Sequence, residues 1–102
     1  MADVIVIGKR AETQAYAAAG LTCFEPEPGH LVERVLAERV RCAVLAITRP
    51  AYDALPSALA KTLCESVWPA LAIVPVPHEP RAASRIADRL SGIVAARRPV
   101  AA

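Results

Sequence analysis

An open, doubly wound α/β domain is the fold class that this 102-residue sequence predicts. Its sheet is parallel and four-stranded, with helices on both faces. Three observations carry that prediction. Residues 4–7, 42–48 and 71–74 are continuous apolar runs, as expected of strands buried on both faces, and a shorter strand falls at 21–24. Each strand is followed by a segment with apolar side chains at helical spacing. The resulting order, β-α-β-α-β-α-β-α, needs a crossover after every strand. Right-handed crossovers then place the strands most simply in the order 2-1-3-4.

The first strand reads "VIVIG" and stops at Gly8. Residues 10–19 form a short helix that turns Ala15, Tyr16, Ala18 and Ala19 to the sheet, with Gly20 placed to end it. The second strand covers 21–24. Residues 25–29 contain two prolines and a glycine and predict a loop. Residues 30–40 are helical, with Leu31, Val32, Val35, Leu36 and Val40 inward and Glu33, Arg34, Glu38 and Arg41 largely outside. The third strand spans 42–48. Thr48 is positioned to cap the next helix, and Pro50 suits its first turn. Tyr52, Leu55, Leu59 and Leu63 continue a helical stripe, which Pro56 must kink or restart. Pro69 breaks the chain after Trp68, which is expected at the edge of the core. The fourth strand, 71–74, leaves through Pro75, Pro77 and Pro80, an extended connector. Residues 82–96 form the last helix, with Ile86, Leu90, Ile93 and Val94 on one side and Arg81, Arg85 and Arg89 four apart on another. Arg97, Arg98 and Pro99 end it, and the final residues are expected to fray. The whole is a Rossmann-like body over residues 1–80, with a basic amphipathic helix over 81–102 that belongs to the same domain or extends as an arm.

The length suits one domain. Only 4% of residues are aromatic, so the core must be built from Val, Ile, Leu and Ala. The start of the chain reads as no export signal, and no apolar stretch approaches the roughly 20 residues of a membrane span. The net charge of +2 gives no argument for nucleic acid. Its distribution is uneven: residues 1–80 carry seven basic and nine acidic side chains, whereas 81–102 carry five Arg against Asp88. Cys23, Cys42 and Cys64 are widely spaced, without a CxxC pair or a Cys/His cluster, which points away from zinc and towards reduced thiols inside a cell. Cys23 and Cys42 fall in strands and read as small core hydrophobes.

Catalytic and ligand motifs find little support. A dinucleotide fingerprint needs three glycines, and Gly8 stands alone before Lys9 and Arg10. That turn leaves one alternative open, a small nucleotide- or anion-sensing domain using Gly8, Lys9 and Arg10 at a helix start. A phosphoacceptor domain of the response-regulator type needs acidic residues at the strand exits, which here are Gly8-Lys9, Thr48-Arg49 and Pro75-Val76-Pro77. His30 and His78 have no partner placed by sequence and read as loop histidines. A second alternative, a thiol enzyme centred on Cys23 or Cys64, lacks an activating neighbour in the sequence. A basic platform for RNA would interleave aromatics with its cations, and they are missing.

The chain resembles the small F subunits in the central stalk of the V/A-type (vacuolar/archaeal-type) rotary ATPases. The resemblance rests on "VIVIG" ending at Gly8, on "AYAAAG" with Ala19-Gly20 at the family's distance from it, on "LAIT" at residues 45–48, and on Pro69 ahead of "AIVPVP". Lys9 stands where the family has Asp, Ala15 where it has Gly and Ala17 where it has Arg. The resemblance implies a noncatalytic rotor component, cytoplasmic and peripheral to the membrane, without cofactor or metal. It would bind the coiled-coil shaft protein and reach towards the catalytic head of a proton- or sodium-translocating ATPase or ATP synthase. On that reading Ile86, Leu90 and Ile93 meet a helical partner, and Arg81, Arg85 and Arg89 pair with its acids.

Overall fold

The structure, a computed structural model, describes residues 2–77 and 79–97. Its elements run β1 (Ala2–Ile7), α1 (Arg10–Ala18), β2 (Thr22–Phe24), α2 (Leu31–Glu38), β3 (Cys42–Thr48), α3 (Arg49–Asp53), α4 (Ser57–Glu65), β4 (Ala70–Val74) and α5 (Pro80–Arg97). The four strands form one all-parallel sheet in the order β2-β1-β3-β4. Both the fold class and the strand order are those the sequence predicts. Ile7 lies level with Phe24 and Ile47, and Thr48 with Val74, so all four strand exits reach one end of the sheet.

The apolar runs divide by parity, because successive side chains leave a strand on opposite faces. Val4, Val6, Val44 and Ala46 face α1 and α5, around Tyr16, Ala83, Leu90 and Val94. Ile5, Ile7, Leu45 and Ile47 face α2, α3 and α4, around Leu31, Val35, Ala51 and Leu63. A run that looks uniform in sequence thus supplies two cores, which is why it does not alternate.

Local chemistry sets the boundaries. Gly20 adopts φ 94° and closes α1 in a Schellman motif, with Leu21 N–H donating to the Tyr16 carbonyl at 3.1 Å and Gly20 N–H to Ala17 at 3.0 Å. Pro56 splits the third helical stripe into α3 and α4, as its missing N–H requires. Pro80 opens α5 instead of ending the connector, because a proline fits the first turn of a helix.

Several expectations are corrected. Pro28–His30 form one 3-10 turn leading into α2 rather than plain loop. On α1, Thr13 is buried and Ala18 exposed: the Thr13 hydroxyl donates to the Lys9 carbonyl at 3.2 Å, which satisfies it inside. The second helix ends at Glu38, short of the expected 40; Leu36 on it and Val40 beyond it are exposed, whereas Glu38 is buried. Arg34 and Arg41 flank the Glu38 carboxylate at 3.4 and 3.7 Å, and Arg34 also lies 4.8 Å over the Phe24 ring. Two guanidinium groups thus cover the carboxylate, the kind of pairing that a buried acidic side chain needs. Trp68 is 52% exposed beside Val67 and belongs to the surface more than to the core edge. His78 and the expected fraying of 98–102 lie outside the described residues.

Candidate functional site

The connections define where a site can form. The chain leaves β1 towards one face and leaves β3 towards the other, although the two strands are neighbours. A crevice between their exits follows, the position at which open parallel sheets hold ligands. A cleft of about 180 Å³ lies there. Gly8, Lys9 and Glu12 supply one wall, Pro26, Pro28, Leu31 and Val32 a second, and Pro50, Ala51 and Ala54 a third.

Its polar chemistry centres on Glu12. The carboxylate Oε1 accepts the Thr48 hydroxyl at 2.8 Å and the Lys9 backbone N–H at 3.0 Å. Thr48 occupies the residue before α3 as expected, yet its hydroxyl does not cap that helix; it crosses to Glu12. Glu12 stands third in α1, where a carboxylate meets the free N–H groups and the positive end of the helix. Lys9 has no acceptor in its side chain, so only this reciprocal half of a capping box forms. Gly8 is what permits the junction. A Cβ added there would lie 2.6 Å from both Oγ1 and Cγ2 of Thr48 and 3.1 Å from Glu12 Oε1. The sequence marks Gly8 as a strand end; its role in letting Thr48 and Glu12 meet depends on a contact 36 residues away in the chain.

Glu12 thereby fills the place that an external anion would take at the β1–α1 turn. The cleft volume also falls below the roughly 300–1,000 Å³ of a typical cofactor or drug-sized pocket. Both features weigh against a nucleotide held by Gly8, Lys9 and Arg10.

The six residues expected to meet a partner lie on α5 but not on one surface. Ala83, Ala87, Leu90 and Val94 are buried against the body, so Leu90, at 3% exposure, is turned inward instead of towards a partner. Ile86 is half-buried and packs on the same core. Arg81, Arg85, Arg89 and Ile93 are exposed, one turn apart along the outer side. The physical reason is close approach: Ala83 and Ala87 let α5 settle near the sheet, and the larger Ile86 and Ile93 move to the flank.

The cysteines are free and dispersed. Burial pushes the Cys42 thiol up to about 11, with Glu38 adding to it, and the Cys23 thiol likewise, with Glu25 adding. Neither is an activated nucleophile. Cys64 is exposed, with its Sγ 2.8 Å from the Tyr52 hydroxyl. This pairing is invisible in the sequence because Pro56 restarts the helix between them. The bond to Cys64 raises the Tyr52 phenol above its ordinary value, with burial adding to it, so the phenol offers the thiol no base at neutral pH. His30 is exposed. Among the described residues no group of three or more His, Cys, Asp or Glu is placed to hold a metal ion. No helix of the described residues is long and apolar enough to cross a membrane.

No protein-family model, curated protein or solved structure matches the chain.

Proposed function

We propose that this chain is a noncatalytic central-stalk subunit of a V/A-type rotary ATPase or ATP synthase, binding the coiled-coil shaft through the outer side of α5. The observation that carries the reading is the exposed row of Arg81, Arg85, Arg89 and Ile93 on an 18-residue helix anchored to a rigid body. Such a row matches an acidic stripe on a long partner helix, where steering and register come from charge. Anchoring through Ala83, Ala87, Leu90 and Val94 supports this role, because a load passed to α5 reaches the sheet directly. Ile86 borders the contact and Leu90 supports it from inside. The chemistry of ATP would reside in other subunits, and the complex would hold this chain at the cytoplasmic side of the membrane.

The test is affinity purification of the tagged chain from its own cells, followed by mass spectrometry. Co-purification of a coiled-coil shaft protein together with catalytic ATPase subunits is expected. Recovery of the chain with neither would overturn the assignment and leave the resemblance as one of fold.

A further inference from the structure

We propose that the cleft at the strand exits binds a small primary amine carrying one aromatic ring or a branched aliphatic body, with Glu12 accepting its ammonium. The proposal goes beyond the rotor reading and stands without it.

Four observations lead there. The walls contributed by Pro26, Pro28, Leu31, Val32, Pro50 and Ala51 are apolar, so the body of a ligand must be apolar too. The volume of about 180 Å³ is ring-sized, since an apolar cavity of roughly 150 Å³ takes a benzene ring. Glu12 is half-buried and lines this space. Its two hydrogen bonds, from Thr48 and Lys9, both end on Oε1, and no described residue donates to its second oxygen. Glu12 thus brings a carboxylate with spare acceptor capacity to a largely apolar cleft, where a donor is favoured and a charged donor forms the stronger bond.

Electrostatics sets the sign. The positive end of α1 is already compensated by Glu12, which discourages a second anion at the same turn. Lys9 also lines the cleft, but it is exposed, so its ammonium is solvated and screened. Glu12 is the less screened of the two charges. A ligand cation therefore gains more at Glu12 than it loses to Lys9.

The experiment is a titration of the isotopically labelled full chain with benzylamine, benzyl alcohol and benzoate, followed by amide chemical shifts. Benzylamine should give saturable shifts at Gly8, Glu12, Leu31 and Ala51, with a Kd on the order of 1 mM for so small a ligand. Benzyl alcohol should bind about tenfold more weakly, the difference a charged hydrogen bond makes, and benzoate more weakly still. In Glu12→Gln the preference for the amine should vanish. Ala54 is exposed and lines the cleft, so Ala54→Trp should fill the space and abolish the shifts while the rest of the spectrum persists. No saturable shift with benzylamine, equal or tighter binding of benzoate, or undiminished binding to Ala54→Trp would each overturn the proposal. If Glu12→Gln does not fold, the three-ligand series and Ala54→Trp still decide.

Discussion

The strand-exit junction and the outer side of α5 are the two polar regions with a case for function, and they are built in opposite ways. At the junction, Gly8, Glu12 and Thr48 come from two separated stretches of chain and are interlocked at contact distance. On α5, Arg81, Arg85 and Arg89 share a side only because a helix repeats every 3.6 residues. The first arrangement exists only in the folded chain; the second would survive in the isolated helix. Substitutions should therefore cost stability at the junction and affinity at α5.

Gly8→Ala is expected to have the largest effect on stability. Both branches of the buried Thr48 side chain stand 2.6 Å from the new methyl, so rotation about χ1 gives no escape. We expect a loss of about 1–3 kcal/mol, seen as a fall in thermal midpoint of roughly 4–8 °C per kcal/mol. Thr48→Ala in the same chain should recover part of that loss, because the two sites share one contact. Additive effects would show that the close approach is not what Gly8 provides.

Glu12→Ala tests the same junction from its charged member. It leaves the Thr48 hydroxyl and the Lys9 N–H without their acceptor, and we expect about 1–2 kcal/mol of destabilisation by denaturant unfolding. Tyr16→Phe extends the test to the far side of the sheet. The Tyr16 hydroxyl donates to the Pro75 carbonyl and ties α1 to the exit of β4. Pro75 is exposed, so water can replace the lost donor, and a cost of about 1 kcal/mol or less is expected.

Alkaline pH sharpens the contrast between interior and surface. The Cys42 thiol ionises near 9.0 when unfolded and at about 11 in the fold, where burial disfavours the thiolate. Its contribution is complete below the unfolded value and is lost as pH rises through the folded one. Stability should therefore fall from about pH 9 to 11, and Cys42→Ala should reduce the slope over that window in pH-dependent unfolding curves.

The smallest stability effect belongs to α5. Arg85→Glu and Arg89→Glu alter exposed side chains and should shift unfolding by no more than about 0.5 kcal/mol. On the proposed function they should nonetheless weaken binding to the coiled-coil shaft, measured by calorimetry with the purified partner. Normal affinity would remove α5 as the contact, and a large loss of stability would show that the arginines are not the solvated row described here.

Local rules by themselves determined the strands, the Gly20 cap and the break at Pro56, and the handedness of crossovers added the strand order. The first three depend on a few neighbouring residues: a β-branched run, a glycine tolerant of positive φ, a proline without a donor. Tertiary structure decided the remainder. Glu38 went inside because Arg34 and Arg41 surround it. Leu90 turned inward because Ala83 and Ala87 let α5 approach the sheet, whereas helical spacing alone groups it with the larger Ile86 and Ile93. Thr48 abandoned its expected cap because Glu12 offered a charged acceptor across the strand exits. For Leu90 and Thr48 the outcome turns on distance between residues from different elements, about which periodicity along one element contains no information; for Glu38 the arginines are near in sequence, and only the packing of α2 on the sheet decided that this side of the helix turns inward.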